Sequence, residues 1–240
     1  MRCLAIIPAF NEAGAVGGVV REIRAARPDV AIVVVDDGST DATASVASEA
    51  GAVVLRLPFN LGIGGAVQTG YKYAWDNGFD VAIQVDADGQ HPPGEMHKVL
   101  DPVVRGEADM VIGTRFLGED GFKSSAVRRI GIAMFARLVS LIIREKVTDT
   151  TSGFRAVNRK GIALFESDYP QDYPEVETQA LAHRHGLRLL EVPVVMRERQ
   201  AGESSIKVWG SFLYVVKVTL ALVIGVFRAP KPLPEEGSRS

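Results

Sequence analysis

With 240 residues, 47% of them hydrophobic and 23% charged, the chain has the composition of an ordinary globular protein and room for one large domain or two small ones. That excludes a disordered chain, a collagen-like repeat and a coiled coil. The single cysteine, Cys3, excludes an internal disulfide framework and a Cys-based zinc site and points to a reducing compartment. The net charge of -2 hides an asymmetry: residues 1–120 carry 9 Lys and Arg against 17 Asp and Glu, residues 121–240 carry 18 against 12. Such a split predicts two faces with different partners, the basic one suited to phosphate or an anionic membrane. The amino terminus has no cationic and apolar regions of a secretory signal, and none is expected.

In chain order, five apolar runs predict strands. Leu4–Ile7 ends at Pro8, Ala31–Val35 at Asp36, Ala52–Leu55 near Pro58, Val81–Val85 at Asp86 and Met110–Ile112 at Gly113. Continuous β-branched runs of this length suit strands buried on both faces, hence a mainly parallel sheet. Between them, Glu12–Arg27, Asp41–Ala50 and Gly64–Asn77 are long enough for crossover helices, with Ser39 or Asp41 as a cap for the second. The fold class is therefore α/β. Ligands of open α/β sheets bind beyond the carboxyl ends of the strands. Here those ends read Pro8-Ala-Phe-Asn-Glu12, Asp36-Asp-Gly-Ser-Thr-Asp41 and Asp86-Ala-Asp-Gly-Gln90, so acid gathers on one rim. Turn chemistry explains Gly and Asp in loops; it does not explain acid concentrated at strand ends.

The second half changes character. Residues 126–144 form a long helix pattern in which Arg129, Arg137 and Arg144 share an arc of roughly 80°. The pattern fits a basic amphipathic helix on a membrane surface and equally a core helix with one wet stripe. Residues 211–227 are apolar apart from Ser211, Lys217 and Thr219. That length is at the lower limit of the ~17–25 residues a span requires, and Lys217 is near its middle. An interfacial or partner-packed helix over 211–228 is expected, followed by a disordered tail over 229–240.

The sharpest element is Asp86-Ala87-Asp88. Two carboxylates two residues apart at a strand end can reach one hard divalent cation, which can bridge to a diphosphate. In the context of Pro8-Ala-Phe-Asn-Glu12, Val35-Asp-Asp-Gly-Ser-Thr-Asp41, Asn60-Leu-Gly62 and Gln84-Val-Asp-Ala-Asp-Gly-Gln-His91, the chain resembles glycosyltransferase family 2. Thr114-Arg115, Ser152-Gly-Phe-Arg155 and the stretch Glu191–Ile206 extend the likeness to the dolichyl- and polyprenyl-phosphate glycosyltransferases, over roughly residues 4–228.

The resemblance implies a GT-A fold, a Rossmann-like and mainly parallel sheet flanked by helices, with C-terminal amphipathic or interfacial helices. It implies an inverting glycosyltransferase that uses nucleotide-diphosphate sugars and Mg²⁺ or Mn²⁺. Residue by residue, Pro8, Phe10 and Glu12 match the first nucleotide-binding loop, and Asp37 the residue that binds the base. Asp86, Asp88 and Gln90 match the metal and diphosphate set. Arg115, one of Arg128 and Arg129, and Arg199 match the arginines that hold an acceptor lipid phosphate, with Arg155 a further candidate beside the diphosphate or acceptor. By residue chemistry Asp36 and Asp41 are structural, orienting a loop and capping a helix. His91 fits either the metal rim or the loop itself. Asn60–Gly65 is a Gly-rich turn that can approach phosphate.

The expected reaction moves a hexose from a UDP- or GDP-sugar to a polyprenyl phosphate, by an enzyme peripheral to the cytoplasmic membrane face. A phosphate acceptor is already anionic and needs no general base. A saccharide acceptor would need one, with Asp149 the first carboxylate to consider and Glu175 and Glu177 behind it. The single apolar segment 211–227 stands where relatives often carry transmembrane hairpins, and predicts docking on the membrane surface or on a small membrane partner subunit. Gly202-Glu-Ser-Ser-Ile206 also departs from the Gly-x-Ser-Lys common among relatives. A nucleic-acid partner is not expected. The reading of another class is a non-catalytic, nucleotide-sugar-binding subunit; the intact Asp86-x-Asp88 and the arginines argue against it.

Overall fold

The structure is a computed structural model that describes residues 1–115, 137, 140, 149, 152–171 and 174–197. In these, strands β1 (Cys3–Ala9), β2 (Val30–Asp36), β3 (Val53–Arg56), β4 (Val81–Gln84) and β5 (Met110–Thr114) alternate with helices α1 (Val16–Ala26), α2 (Thr43–Glu49), α3 (Gly62–Asp76) and α4 (Met96–Val104). There follow β6 (Arg155–Asn158), α5 (Arg159–Ser167), α6 (Pro174–Arg184) and β7 (Leu189–Pro193). Among the described residues the seven strands form one sheet, in the order β3-β2-β1-β4-β6-β5-β7. All neighbours are parallel except β6, which runs antiparallel to both β4 and β5.

Side chains alternate across the pleat, and this divides the core in two. Cys3, Ala5 and Ile7 of β1 face one way, against Val16, Val20 and Ile23 of α1 and Met96, Val99 and Leu100 of α4. Leu4 and Ile6 face the other, against Val67, Tyr71 and Ala74 of α3 and Ile162 and Phe165 of α5. The strands thus carry apolar residues at every position because helices cover both faces. Gly70 lets α3 lie close on β1: a Cβ there would come within 2.2 Å of Ile6 Cγ2. Strands β2 and β4 leave β1 on opposite sides, so the strand order reverses at β1 and a crevice opens beyond the carboxyl ends of these three strands.

The five predicted strands and three predicted helices are present with boundaries shifted by a few residues. Helix α1 begins at Val16 rather than Glu12, and the residues before it form a turn in which the carbonyl of Glu12 accepts the N–H groups of Ala15 and Val16. The antiparallel strand β6 and the edge strand β7 are additions. Most of the 126–144 helix pattern, the 211–228 segment and the 229–240 tail lie outside the described residues; of the first, Arg137 and Ser140 are helical and Arg137 is exposed. No helix among the described residues is long and apolar enough to cross a membrane.

Candidate active site

A cleft of about 530 Å³ occupies the crevice. Its lining comes from the ends of three strands: Pro8 to Glu12 at the end of β1, Asp37 after β2, and Gln84, Asp86, Ala87 and Asp88 at the end of β4, with Asn60, Gly62, Ile63 and Ala66 at the start of α3 and Glu175 on α6. The first two loops are laced together. Asn11, at φ 56°, accepts the N–H of Thr40 on its side chain, and its own N–H donates to Ser39 Oγ. The N–H of Glu12 donates to Thr43 Oγ1, and Asp41 accepts from the N–H groups of Thr43 and Ala13. Asp36 is buried, accepting the N–H of Ser39 and lying 3.4 Å from Arg56 Nε. Asp36 has the loop-orienting role expected of it; Asp41 is structural too, but it ties the 11–13 turn to Thr43, and neither it nor Ser39 caps α2, whose N-cap is Ala42. Phe10 stands at the rim, 45% exposed.

Asp37 is buried at the cleft wall, and its two carboxylate oxygens accept the N–H groups of Leu61 and Gly62 at 2.7 and 2.9 Å. These are the N–H groups that the Gly-rich turn 60–65 would have offered a phosphate, so that turn is held by a carboxylate rather than left open to an anion. Each carboxylate oxygen has a second lone pair, which leaves Asp37 able to accept from a ligand.

Asp86 and Asp88 both line the cleft. Asp88 is buried and accepts the N–H of Gln90 at 3.0 Å, while the Asp86 side chain is 32% exposed. The N–H of Asp86 donates to His91 Nδ1 at 3.0 Å, which assigns the ring proton to Nε2, 3.6 Å from Asp86 Oδ2. Burial holds the His91 imidazole below its ordinary pKa, with Asp86 and Asp88 pulling the other way. His91 is thus a buried loop residue stacked on Phe154, with ring centroids 4.8 Å apart, and not a ligand on the rim. Gln90 follows in the same loop outside the cleft lining, and its carbonyl accepts the N–H of Arg197.

The arginines are placed differently. Arg115, at the end of β5, forms a two-pronged ion pair with Asp149, Nε to Oδ2 at 3.0 Å and Nη2 to Oδ1 at 3.2 Å. Asp149 is wholly buried, and its carbonyl accepts from Gln179 Nε2. This engagement removes Asp149 from the position of a general base. Arg155 is 1% exposed and absent from the cleft lining. It donates to the carbonyls of Ser152 and Pro174 and to Thr178 Oγ1, tying β6 to α6. The direct contact with diphosphate or acceptor expected of Arg155 is corrected to a buried structural one. Arg128, Arg129 and Arg199 lie outside the described residues.

Glu175 lines the cleft from the first turn of α6, and burial pushes its carboxyl above the ordinary range, with Arg155 opposing. Among the described residues no three or more His, Cys, Asp or Glu side chains gather to make a closed metal cage. Two carboxylates on one wall still fit an ion such as Mg²⁺ or Mn²⁺, which takes one or two carboxylates and completes its shell with phosphate oxygens and water. Sequence reasoning missed Gln84 and Gly153 as parts of this site. The signal for Gln84 was parity: two residues before Asp86 on a strand end, it shares the face of Asp86.

The family model of glycosyl transferase family 2 matches residues 4–165, most of the chain and every cleft loop but that of Glu175. The chain belongs to this family. The enzyme is 32% identical to polyprenol monophosphomannose synthase of Mycolicibacterium smegmatis, over 85% of this chain and 80% of that protein. It is 30% identical to UDP-N-acetylglucosamine–dolichyl-phosphate N-acetylglucosaminyltransferase of Methanococcus voltae, over 79% and 83%. Among solved structures, glucosyl-3-phosphoglycerate synthase of Mycobacterium tuberculosis, crystallised with Mn²⁺, UDP and phosphoglyceric acid, superposes with a TM-score of 0.70 at 18% identity, covering 98% of this chain and 80% of that one. The transferase thus has a GT-A-like fold and polyprenyl-phosphate sugar transferases among its relatives.

Proposed function

We propose that the enzyme transfers a hexose, with inversion, from a UDP- or GDP-sugar to a polyprenyl phosphate, using Mg²⁺ or Mn²⁺, at the cytoplasmic face of the membrane. The observation that carries this reading is the placement of Asp86 and Asp88 on one wall of a cleft whose other lining includes Asp37 and the 8–12 loop. Residues 1–210 form its catalytic domain, and 211–228 its interfacial or partner-packed helix. The lipid acceptors in the names of the relatives support the acceptor class.

In this reading Pro8, Phe10, Glu12 and Asp37 hold the nucleoside, and Asp86, Asp88 and Gln90 hold the metal and diphosphate. A phosphate oxygen of the acceptor forms the new bond to the sugar C1 as the bond from C1 to the nucleoside diphosphate breaks. The bound ion supplies charge stabilisation of that leaving group. Arg115, fixed in direction by Asp149, neutralises and orients the acceptor phosphate together with Arg128 or Arg129 and Arg199. No proton need be removed, in keeping with Asp149 being held by Arg115.

One observation favours a second reading. Glu175 is a desolvated carboxyl on the cleft wall, suited to serve as base for a saccharide acceptor. Both readings are tested by a panel of UDP- and GDP-sugars with Mn²⁺ or Mg²⁺, with and without a short polyprenyl phosphate in detergent. The first expects lipid-dependent release of one nucleotide and an acid-labile product; nucleotide release that ignores the lipid, with an acid-stable linkage, would transfer the assignment to the second.

A further inference from the structure

Asp86 has to present a carboxylate to the cleft from a loop that turns sharply after β4, and three buried neighbours surround that carboxylate on its inner side. Gln84, 3% exposed, donates from Nε2 to Asp86 Oδ1 at 3.4 Å. His91, also 3% exposed, accepts the N–H of Asp86 on Nδ1 and turns Nε2 toward Oδ2 at 3.6 Å. Gly153 closes the third side: a Cβ there would lie 2.9 Å from Gln84 Nε2 and 3.1 and 3.4 Å from the two Asp86 oxygens. The next residue, Phe154, is the ring on which His91 stacks.

We propose that Gln84 and His91 are positioning residues that fix the rotamer of Asp86 for a divalent cation, with Gly153-Phe154 as the backing that holds both in place. The proposal rests on the reading of Asp86 as a metal ligand. Each contact addresses a different atom of Asp86: Oδ1 by Gln84, the main-chain N–H and Oδ2 by His91. Together they leave few rotations open to the side chain. Neither residue presents a ligating atom to the cleft: His91 Nδ1 is already an acceptor with the ring proton on Nε2, and Gln84 Oε1 is buried. Groups that orient a ligand in this way are worth 10–100-fold in metal affinity in general. The arrangement also gives the Ser152–Arg155 segment, distant in sequence, a direct hold on the metal loop.

The test measures Mn²⁺ affinity by the electron paramagnetic resonance of free Mn²⁺, in the presence of UDP and separately of GDP, alongside thermal unfolding. His91→Phe keeps a ring for Phe154 and loses both contacts to Asp86, and should weaken Mn²⁺ binding about 10–100-fold. His91→Asn restores an acceptor near Nδ1 and should recover most of that loss. Gln84→Met should cost about tenfold. Should His91→Phe not fold, Gly153→Ala displaces Gln84 and Asp86 by its Cβ and is expected to show the same weakening. Affinities within twofold of the parent in Gln84→Met and in the His91 or Gly153 variant, where Asp86→Ala abolishes binding, would overturn the positioning role while sparing the ligand. Equal Mn²⁺ binding by Asp86→Ala and the parent would overturn the ligand itself, and the positioning role with it.

Discussion

Two charged regions, the cleft wall at the strand ends and a second wall of arginines outside the cleft lining, use their charge in opposite ways. On the first wall, carboxylates at strand ends are held by backbone N–H groups and small polar neighbours, and still line the cleft: Asp88 through Gln90, Asp86 through His91 and Gln84. On the second, arginines are held by buried acceptors: Arg155 by oxygens of Ser152, Pro174 and Thr178, deep in the fold, and Arg115 by Asp149. The difference follows from chain position. A carboxylate just past a parallel strand has its anchors in the turn beneath it, whereas Arg155 opens an antiparallel strand in mid-sheet and is itself buried. A charged residue in a motif is therefore a ligand or a strut according to what lies under its backbone.

The sharpest way to break this comparison is to remove one charge from each wall. Asp88→Ala should lower transfer by about 10³-fold or more, the loss of several kcal/mol of charge stabilisation at the leaving group, with thermal unfolding little changed. Near-normal turnover would dismiss the first wall as the chemical one. Arg155→Met should do the reverse. Losing charge-assisted bonds to buried oxygens costs about 3 kcal/mol or more, which at this chain length lowers Tm by roughly 6–12 °C. An Arg155→Met protein that unfolds like the parent but fails to turn over would return Arg155 to the site.

These two variants also mark how far the sequence was legible. The β-branched runs and the acids at their ends told of a parallel sheet with its ligand rim, because burial on both faces and the strand-end rule act locally. Strand β6 was not legible. Arg155-Ala-Val-Asn158 is four residues long, polar at both ends, and becomes a strand only because β4 and β5 offer it two edges. The same distance hid the role of Arg155, whose partners Pro174 and Thr178 come from α6, beyond α5, and of Gly153, which matters for two side chains on β4 and its loop. Glu175 was visible as a carboxylate to consider behind Asp149, but its desolvation depends on packing that no local pattern records.

Gly153→Ala sharpens the comparison at a smaller scale, since Gly153 belongs to the second half and presses on the first wall. Its Cβ meets Gln84 Nε2 and Asp86 Oδ1, the movable ends of side chains rather than backbone. The fold should therefore absorb the change within about 1 kcal/mol, while turnover at limiting metal falls about tenfold and recovers in part at high Mn²⁺. An equal loss at limiting and saturating Mn²⁺ would place the effect elsewhere than at the metal loop.

The smallest effect is at Glu175, where the two walls meet. Burial raises its carboxyl above the ordinary 4.5, so the folded protein holds this proton to higher pH than the unfolded chain does. Its contribution to stability is therefore present below about 4.5 and is lost as pH rises through the raised folded value. Glu175→Gln removes the ionisation, and should raise Tm at pH 7.5, with the gap narrowing as the pH approaches 4.5. The same variant separates the acceptors. With a polyprenyl phosphate, which needs no base, kcat should fall less than about tenfold, whereas loss of a general base from a saccharide-directed site would cost about 10²–10⁴-fold. A Glu175→Gln enzyme that is more stable and still active on lipid would make this carboxylate part of the cleft's electrostatic wall; one that is more stable and inactive would make it the base.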